Sequence, residues 1–338
     1  MPRPEYMVST AYPVSRPRRL RQAGWIRGLV AEHSLSARDL IWPVFVVEGQ
    51  GQRQEIAELP GLFRYSLDQL IPAVEQAAAL GIPLVALFPM VEPALKDAQG
   101  RETTNPNNLV NRAIQAIRRA VPEIGIMGDV ALDPYTSHGH DGVFDPESGR
   151  VLNDATLTRL VEQARGLAAA GCSVLAPSDM MDGRIGAIRT AMEHDGHEDI
   201  LLLSYAVKYA SGFYGPFRKA IGSAGNLGKS GKQSYQMDPA NSDEALREVA
   251  LDLAEGADLV MIKPAMPYLD IVRRVKESFA VPTLAYQVSG EYAMLKAAGQ
   301  NGWLDYDRVM MESLLGCKRA GADAIVTYAA VEIAERLK

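Results

Sequence analysis

Cysteine is nearly missing from this chain of 338 residues: only Cys172 and Cys317 occur, in Ala-Gly-Cys-Ser and Leu-Gly-Cys-Lys contexts that read as a helix-to-strand join and a helix position. That scarcity excludes a disulfide framework and a cysteine-based metal or redox motif. Long apolar runs are missing too. None approaches the roughly 18 residues that would span a bilayer, and the N-terminus has no apolar core of a secretory signal. A cytoplasmic chain that does not engage membranes is expected. A basic excess is also missing: Lys and Arg number 35 against 41 Asp and Glu, a net charge of −6, which leaves no electrostatic footprint for nucleic acid. No Gly-x-Gly-x-x-Gly follows the first strand-like run, which argues against an open dinucleotide-binding sheet. Gly228-Lys229-Ser230 resembles the end of a phosphate-binding loop, but the glycine that motif requires five residues earlier is Ser223, so nucleotide binding is rejected.

What is present is alternation. Eight short apolar or β-branched runs begin near Ile41, Leu84, Ile124, Ser173, Ile200, Leu259, Thr283 and Ala324. Between them lie longer segments with helical patterning at 66–80, 108–120, 154–170, 183–194, 242–255, 268–278, 291–298 and 306–320. Several open on a capping residue and stop at glycine, as in Ser66 with Gly81 and Asp154 with Gly171. Repeated βα units predict a parallel sheet, and eight of them predict a closed (β/α)8 TIM barrel of the α/β class. Such a barrel needs about 250 residues. The surplus falls into an N-terminal arm at 1–35, rich in Pro and Arg over its first 24 residues, and a Gly-, Ser- and Lys-rich stretch at 209–239 that reads as a lid within the catalytic domain at 36–338. The composition of the first 24 residues gives little chance of a regular element, leaving a disordered tail or an arm that orders on another subunit.

Active-site groups of a barrel collect at the carboxyl ends of its strands. Asp129, Ser178 with Asp179, Lys208, Lys263, Ser289 and Tyr328 all fall at or just beyond such ends. A single lysine there commonly snorkels or pairs with a carboxylate. Two that share one rim repel each other, and apolar walls further disfavour the charged form, so an amine becomes free to attack a carbonyl.

The local sequences carry a family resemblance. GADLVMIKPAMPY at 256–268 and SYAVKYASGFYGPFRKA at 204–220 are similar to the two lysine segments of the δ-aminolevulinate dehydratase family. GDVALDPYTSHGHDG at 128–142, APSDMMDGRIGAIR at 176–189, YQMDPANSDEAL at 235–246 and YQVSGEYAM at 286–294 match in the same order. The resemblance covers nearly the whole chain from about Arg18 onward.

It implies a hydro-lyase that condenses two molecules of 5-aminolevulinate to porphobilinogen, with loss of two waters, on the route to haem and other tetrapyrroles. It further implies Schiff bases at Lys263 and Lys208, a carboxylate clamp from Arg218, Lys232 and Gln236 for one substrate, and another from Ser289 and Tyr328 for the second. Asp129, Asp133 and Ser178 become candidates to receive an amine. Zinc-dependent members carry three cysteines where this chain has Ala131, Asp133 and Asp141, so the resemblance implies a zinc-free, aspartate-rich type. Those carboxylates suit magnesium or hydrogen bonds to substrate. Glu248 matches a glutamate that organises an allosteric magnesium, and no organic cofactor is implied. His138 and His140 are read as hydrogen-bonding residues. A homo-octamer with the arm around a neighbour is expected by resemblance. A class I aldolase-like lyase and an inactive barrel serving as a binding or assembly protein are the alternatives.

Overall fold

The computed structural model describes residues 11–222 and 231–338. The motif at 228–230 and part of the proposed lid therefore lie outside the described residues, as do residues 1–10 of the arm. The chain divides after Ser34 into two units. Within the first, the Pro- and Arg-rich stretch forms one short regular element, contrary to expectation, a 3-10 turn at Pro17–Arg21, and a helix at Gly24–Leu29 follows it; neither has a buried residue. Arginine supplies the local bonds, since Arg16 Nε donates to the Pro13 carbonyl at 3.1 Å and an Arg19 guanidinium nitrogen to that of Val14 at 2.9 Å.

The second unit contains eight parallel strands in sequential order: β1 (Leu40–Val46), β2 (Leu84–Pro89), β3 (Gly125–Val130), β4 (Val174–Pro177), β5 (Leu201–Lys208), β6 (Leu259–Lys263), β7 (Thr283–Gln287) and β8 (Ala324–Thr327). Pairing of β1 with β8, Leu40 opposite Ile325 and Ile41 opposite Val326, closes the ring. Closure explains the unbroken apolar runs: these strands are covered on both faces, so they lack the alternation of a half-exposed sheet. All seven residues of β1 are buried.

The main helices are α1 (Leu67–Ala79), α2 (Leu109–Ala120), α3 (Asn153–Ala170), α4 (Arg184–His194), α5 (Asp243–Ala254), α6 (Leu269–Phe279), α7 (Ser289–Gln300), α8 (Tyr306–Ala320) and α9 (Ala330–Arg336). Two of them, α7 and α8, fall between β7 and β8, and the helix after β8 is one the apolar pattern does not reveal. The stops at Gly171 and Gly321 follow from their left-handed backbones, φ 97° and 116°, which glycine adopts without a Cβ clash. Short hairpins at Arg53–Glu55 with Phe63–Tyr65, and at Phe144–Asp145 with Arg150–Val151, decorate the strand-end side and were not expected. Cys172 and Cys317 are buried free thiols at the anticipated kinds of position.

Candidate active site

Lys208 and Lys263 are the last residues of neighbouring strands and stand in register with each other. Beyond their first residues these apolar runs are buried, and each strand ends by delivering its lysine to the rim. Lys263 enters an aromatic enclosure: its Nζ lies 4.3 Å from the ring centre of Tyr286, 5.1 Å from Tyr205, 5.3 Å from Phe217 and 5.5 Å from Tyr214. Ring faces attract an ammonium, but they also exclude the water that would solvate it. Burial foremost, then repulsion from Lys208, brings Lys263 down to about 7 against the pull of Asp129, Asp133 and Asp141. The sequence-based expectation of an amine free near neutrality thus has a defined cause here.

Lys208 faces the carboxylates. Its Nζ donates to the Ser178 carbonyl and lies 3.5 Å from Asp141 Oδ1. The Lys232 ammonium sits 2.9 Å from Asp141 Oδ2 and 3.3 Å from Asp133 Oδ2. Burial alone would raise Asp141, yet Lys208 and Lys232 together hold it at about 2. Asp129 goes the opposite way: burial and then Asp133 push its carboxyl well up, against the Ser178 hydroxyl and the two lysines. Its Oδ1 is buried without a hydrogen-bond partner among the described residues. Two carboxylates within one site are thereby driven apart in proton affinity, the pattern that separates a proton acceptor from a fixed charge.

Of the remaining sequence-predicted residues, Tyr328 and Ser289 meet the Lys263 enclosure through Tyr286 and Phe217. Tyr328 lies 3.2 Å, hydroxyl to hydroxyl, from Tyr286, whose ring covers Lys263. Ser289 is fully buried, and its hydroxyl accepts the Phe217 N–H at 3.0 Å. It opens α7 rather than ending β7. Arg218 is half-buried on the short helix Gly215–Ala220. The C-terminal end of that helix is held by Arg64, which donates to the carbonyls of Ala220 at 2.7 Å and Lys219 at 3.1 Å. Gly290 lets this covering segment approach, because a Cβ there would lie 2.4 Å from the Phe213 carbonyl oxygen. Gln236 is buried, with Oε1 unpartnered among the described residues.

Glu248 is not part of this cluster. It lines a separate depression of about 500 Å³ with Asp182, Asp238, Glu244, Arg150 and the edge of Gln236. Burial and then Asp252 raise the proton affinity of Glu248, with Asp182 and Glu244 adding to them and Arg184 opposing. The acidic side chains among them are oxygen donors, the kind a hard cation takes, whereas Arg150 is itself cationic. Among the described residues no three His, Cys, Asp or Glu converge to hold an ion directly. His138 Nε2 meets the Ala98 carbonyl at 3.0 Å, and His140 Nδ1 meets the Tyr235 hydroxyl at 3.2 Å, both hydrogen-bonding roles.

Several residues escaped sequence reasoning. Arg184 is buried with Asp252 at 3.3 Å, Asp179 at 3.7 Å and Ser204 at 3.1 Å. That network holds the turn after β4, where Met180 adopts φ 69° and Asp179 accepts the Met181 N–H at 2.7 Å. The turn carries Ser178 to Lys208. Tyr205, Tyr214 and Tyr286 were also missed, since a tyrosine inside an apolar run looks like ordinary core. Glu291, buried at the third position of α7, accepts the Val288 N–H, but Val288 offers no side-chain acceptor in return, so the Ser/Thr-x-x-Glu spacing that would have flagged it is missing.

The family profile described as delta-aminolevulinic acid dehydratase matches residues 14–336. A protein of that name from Bradyrhizobium diazoefficiens is 58% identical over 323 residues, covering 96% of this chain and 91% of the relative. One from Rhodobacter capsulatus is 52% identical, with 95% and 96% covered. A crystal structure of delta-aminolevulinic acid dehydratase (porphobilinogen synthase) from Toxoplasma gondii, in complex with its reaction product porphobilinogen, superimposes with a TM-score of 0.93 at 46% identity, covering 95% of this chain and 91% of that one. With the family profile matched over residues 14–336 and relatives of that name at 52–58% identity, the chain belongs to the delta-aminolevulinic acid dehydratase family.

Proposed function

We propose that the chain is a porphobilinogen synthase, joining two 5-aminolevulinate molecules with loss of two waters. The observation that carries this reading is the pair of buried amines in register at the ends of β5 and β6. An aldolase-like lyase needs one Schiff-base lysine, whereas a reaction that activates two keto acids has use for two. Free Lys263 amine adds to the keto carbon of one substrate, and the carbinolamine loses water to give an imine. The protonated imine withdraws electrons from the adjacent carbon, which can then lose a proton to a nearby base. Asp129, whose proton affinity is raised and whose Oδ1 lacks a partner among the described residues, would take up a proton or receive a substrate amine.

Lys208 activates the second keto group in the same way. Bond formation between the two tethered substrates is then intramolecular, which removes the entropic cost of bringing them together. Ser289 and Tyr328 receive the carboxylate of the substrate on Lys263, and Arg218, Lys232 and Gln236 that of the other. Burial of both lysines means that substrate enters only when the segments covering them move, and their return excludes water.

The finer assignments follow the same reading: a cytoplasmic homo-octamer without zinc, and a hydrated magnesium near Glu248. Magnesium there would supply charge between acidic side chains and so favour one assembly state. Among the described residues no helix is long and apolar enough to cross a membrane. The decisive test is colorimetric detection of pyrrole from 5-aminolevulinate with the unmodified protein and with Lys263→Ala. Formation by the former and a loss of several orders of magnitude in the latter are expected, and equal turnover by both would refute the mechanism.

A further inference from the structure

The chain just after Lys263 and the chain just before Ser289 are joined by one carboxylate. Glu291 is fully buried; its Oε1 accepts the Met266 N–H at 2.6 Å, and its Oε2 accepts those of Val288 at 2.6 Å and Ala265 at 3.3 Å. A glutamate that merely caps its own helix needs the Val288 bond alone. The other two reach back 25 and 26 residues, onto the loop that leaves Lys263. Among the described residues, burial pushes its carboxyl up to about 7 and the three backbone amides oppose that, with no cationic side chain contributing. Removing the carboxylate would leave these buried N–H donors unsatisfied, so it contributes to stability; the geometry adds that one group joins the loop after Lys263 to the residue before Ser289.

We infer that Glu291 is a positioning residue that fixes the span between the Lys263 amine and the Ser289 hydroxyl, and thereby selects 4-keto acids by chain length. The inference rests on the proposed function, in which Lys263 takes the keto carbon and Ser289 the carboxylate of one substrate. In 5-aminolevulinate those two groups are separated by two methylenes. A receptor whose ends are free to drift accepts shorter and longer keto acids almost equally. One whose ends are tied through a single rigid carboxylate does not. Glutamine cannot replace it, because its amide presents N–H groups to an N–H donor and can anchor only one of the two segments well. Aspartate keeps the charge but is one methylene too short to bridge both.

The test is borohydride trapping of 3-oxobutanoate, 4-oxopentanoate and 5-oxohexanoate on the full-length protein, with labelled Lys263 and Lys208 peptides quantified separately. Unmodified protein should label Lys263 with the 4-oxo acid preferentially. Glu291→Gln and Glu291→Asp should each lose about tenfold in apparent affinity for it, the effect of one charge-assisted bond, and their preference over the other two acids should collapse to near equality. Lys208 labelling should persist in both, which a general loss of structure would not allow. If the Gln variant does not fold, the Asp variant alone carries the comparison. Unchanged length preference in a folded variant overturns the inference, as does a uniform drop for all three acids at both lysines. Failure of the unmodified protein to label Lys263 with any of them would instead overturn the proposed function.

Discussion

The depressed proton affinity of Lys263 leads to a quantitative expectation for how imine formation depends on pH. An ordinary lysine, with a pKa of about 10.4, has roughly one amine in 2,500 unprotonated at pH 7. At about 7, Lys263 has half of its amines free, so the nucleophile is enriched by roughly a thousandfold at that pH. The initial rate of trapping by 4-oxopentanoate at the Lys263 peptide should rise with pH through about 7, level off above it, and fall about tenfold per unit below pH 6. Lys208→Met removes the second-largest cause while leaving the aromatic enclosure in place. Protonation of Lys263 then becomes easier, so the midpoint should move upward and the rate at pH 7 should drop. Burial is the largest cause, so the midpoint should stay below that of a free lysine. A midpoint near 10 in the unmodified protein, or one that Lys208→Met leaves in place, would refute the electrostatic account.

Arg218→Ala and Ser289→Ala should impair different substrate positions: each loses a charged hydrogen bond, on the order of 1.5–3 kcal/mol or roughly ten- to a hundredfold in binding, and crystals of the Arg218 variant soaked with substrate should show Lys263 occupied and Lys208 empty. In Gly290→Ala the new methyl meets the Phe213 carbonyl, so the covering segment should be displaced at a cost of about 1–3 kcal/mol; faster proteolysis within 209–222 and a lower melting temperature are the readouts. Magnesium should raise activity and sedimentation coefficient together, and Glu248→Gln should abolish both responses while basal turnover remains; a flat titration of the unmodified protein would remove the ion from the reading.

The barrel was legible because a closed parallel sheet demands strands that are apolar throughout, and runs such as Leu259–Lys263 have no other good use in a soluble domain. Helix ends were legible where glycine takes a left-handed backbone, as at Gly171 and Gly321. Elements of two or three residues carry too few side chains to show a period, which hid the hairpins. The last helix, Ala330–Arg336, is only two turns long and follows β8 with no cap of its own. Within the site, groups at strand ends could be read one by one, since each follows its own apolar run. What the sequence could not convey was who faces whom. Arg184 and Asp252 are 68 residues apart, and the aromatic residues around Lys263 come from separate elements. Likewise, Lys232 reads as a substrate clamp, and its pairing with two aspartates 91 and 99 residues away could not be read from its surroundings in the sequence.

That pairing makes Lys232 a tethered counter-ion. A dissolved cation between Asp133 and Asp141 would come and go with its concentration, and a chelator could strip it. An ammonium attached to the chain has no such freedom: its presence beside Asp133 and Asp141 is set by the packing of its own segment, whose Met237 bonds the backbone of Lys208 and Ala210, and not by the surrounding solution. Without it two carboxylates would face one another in a buried setting, where an uncompensated charge costs several kcal/mol.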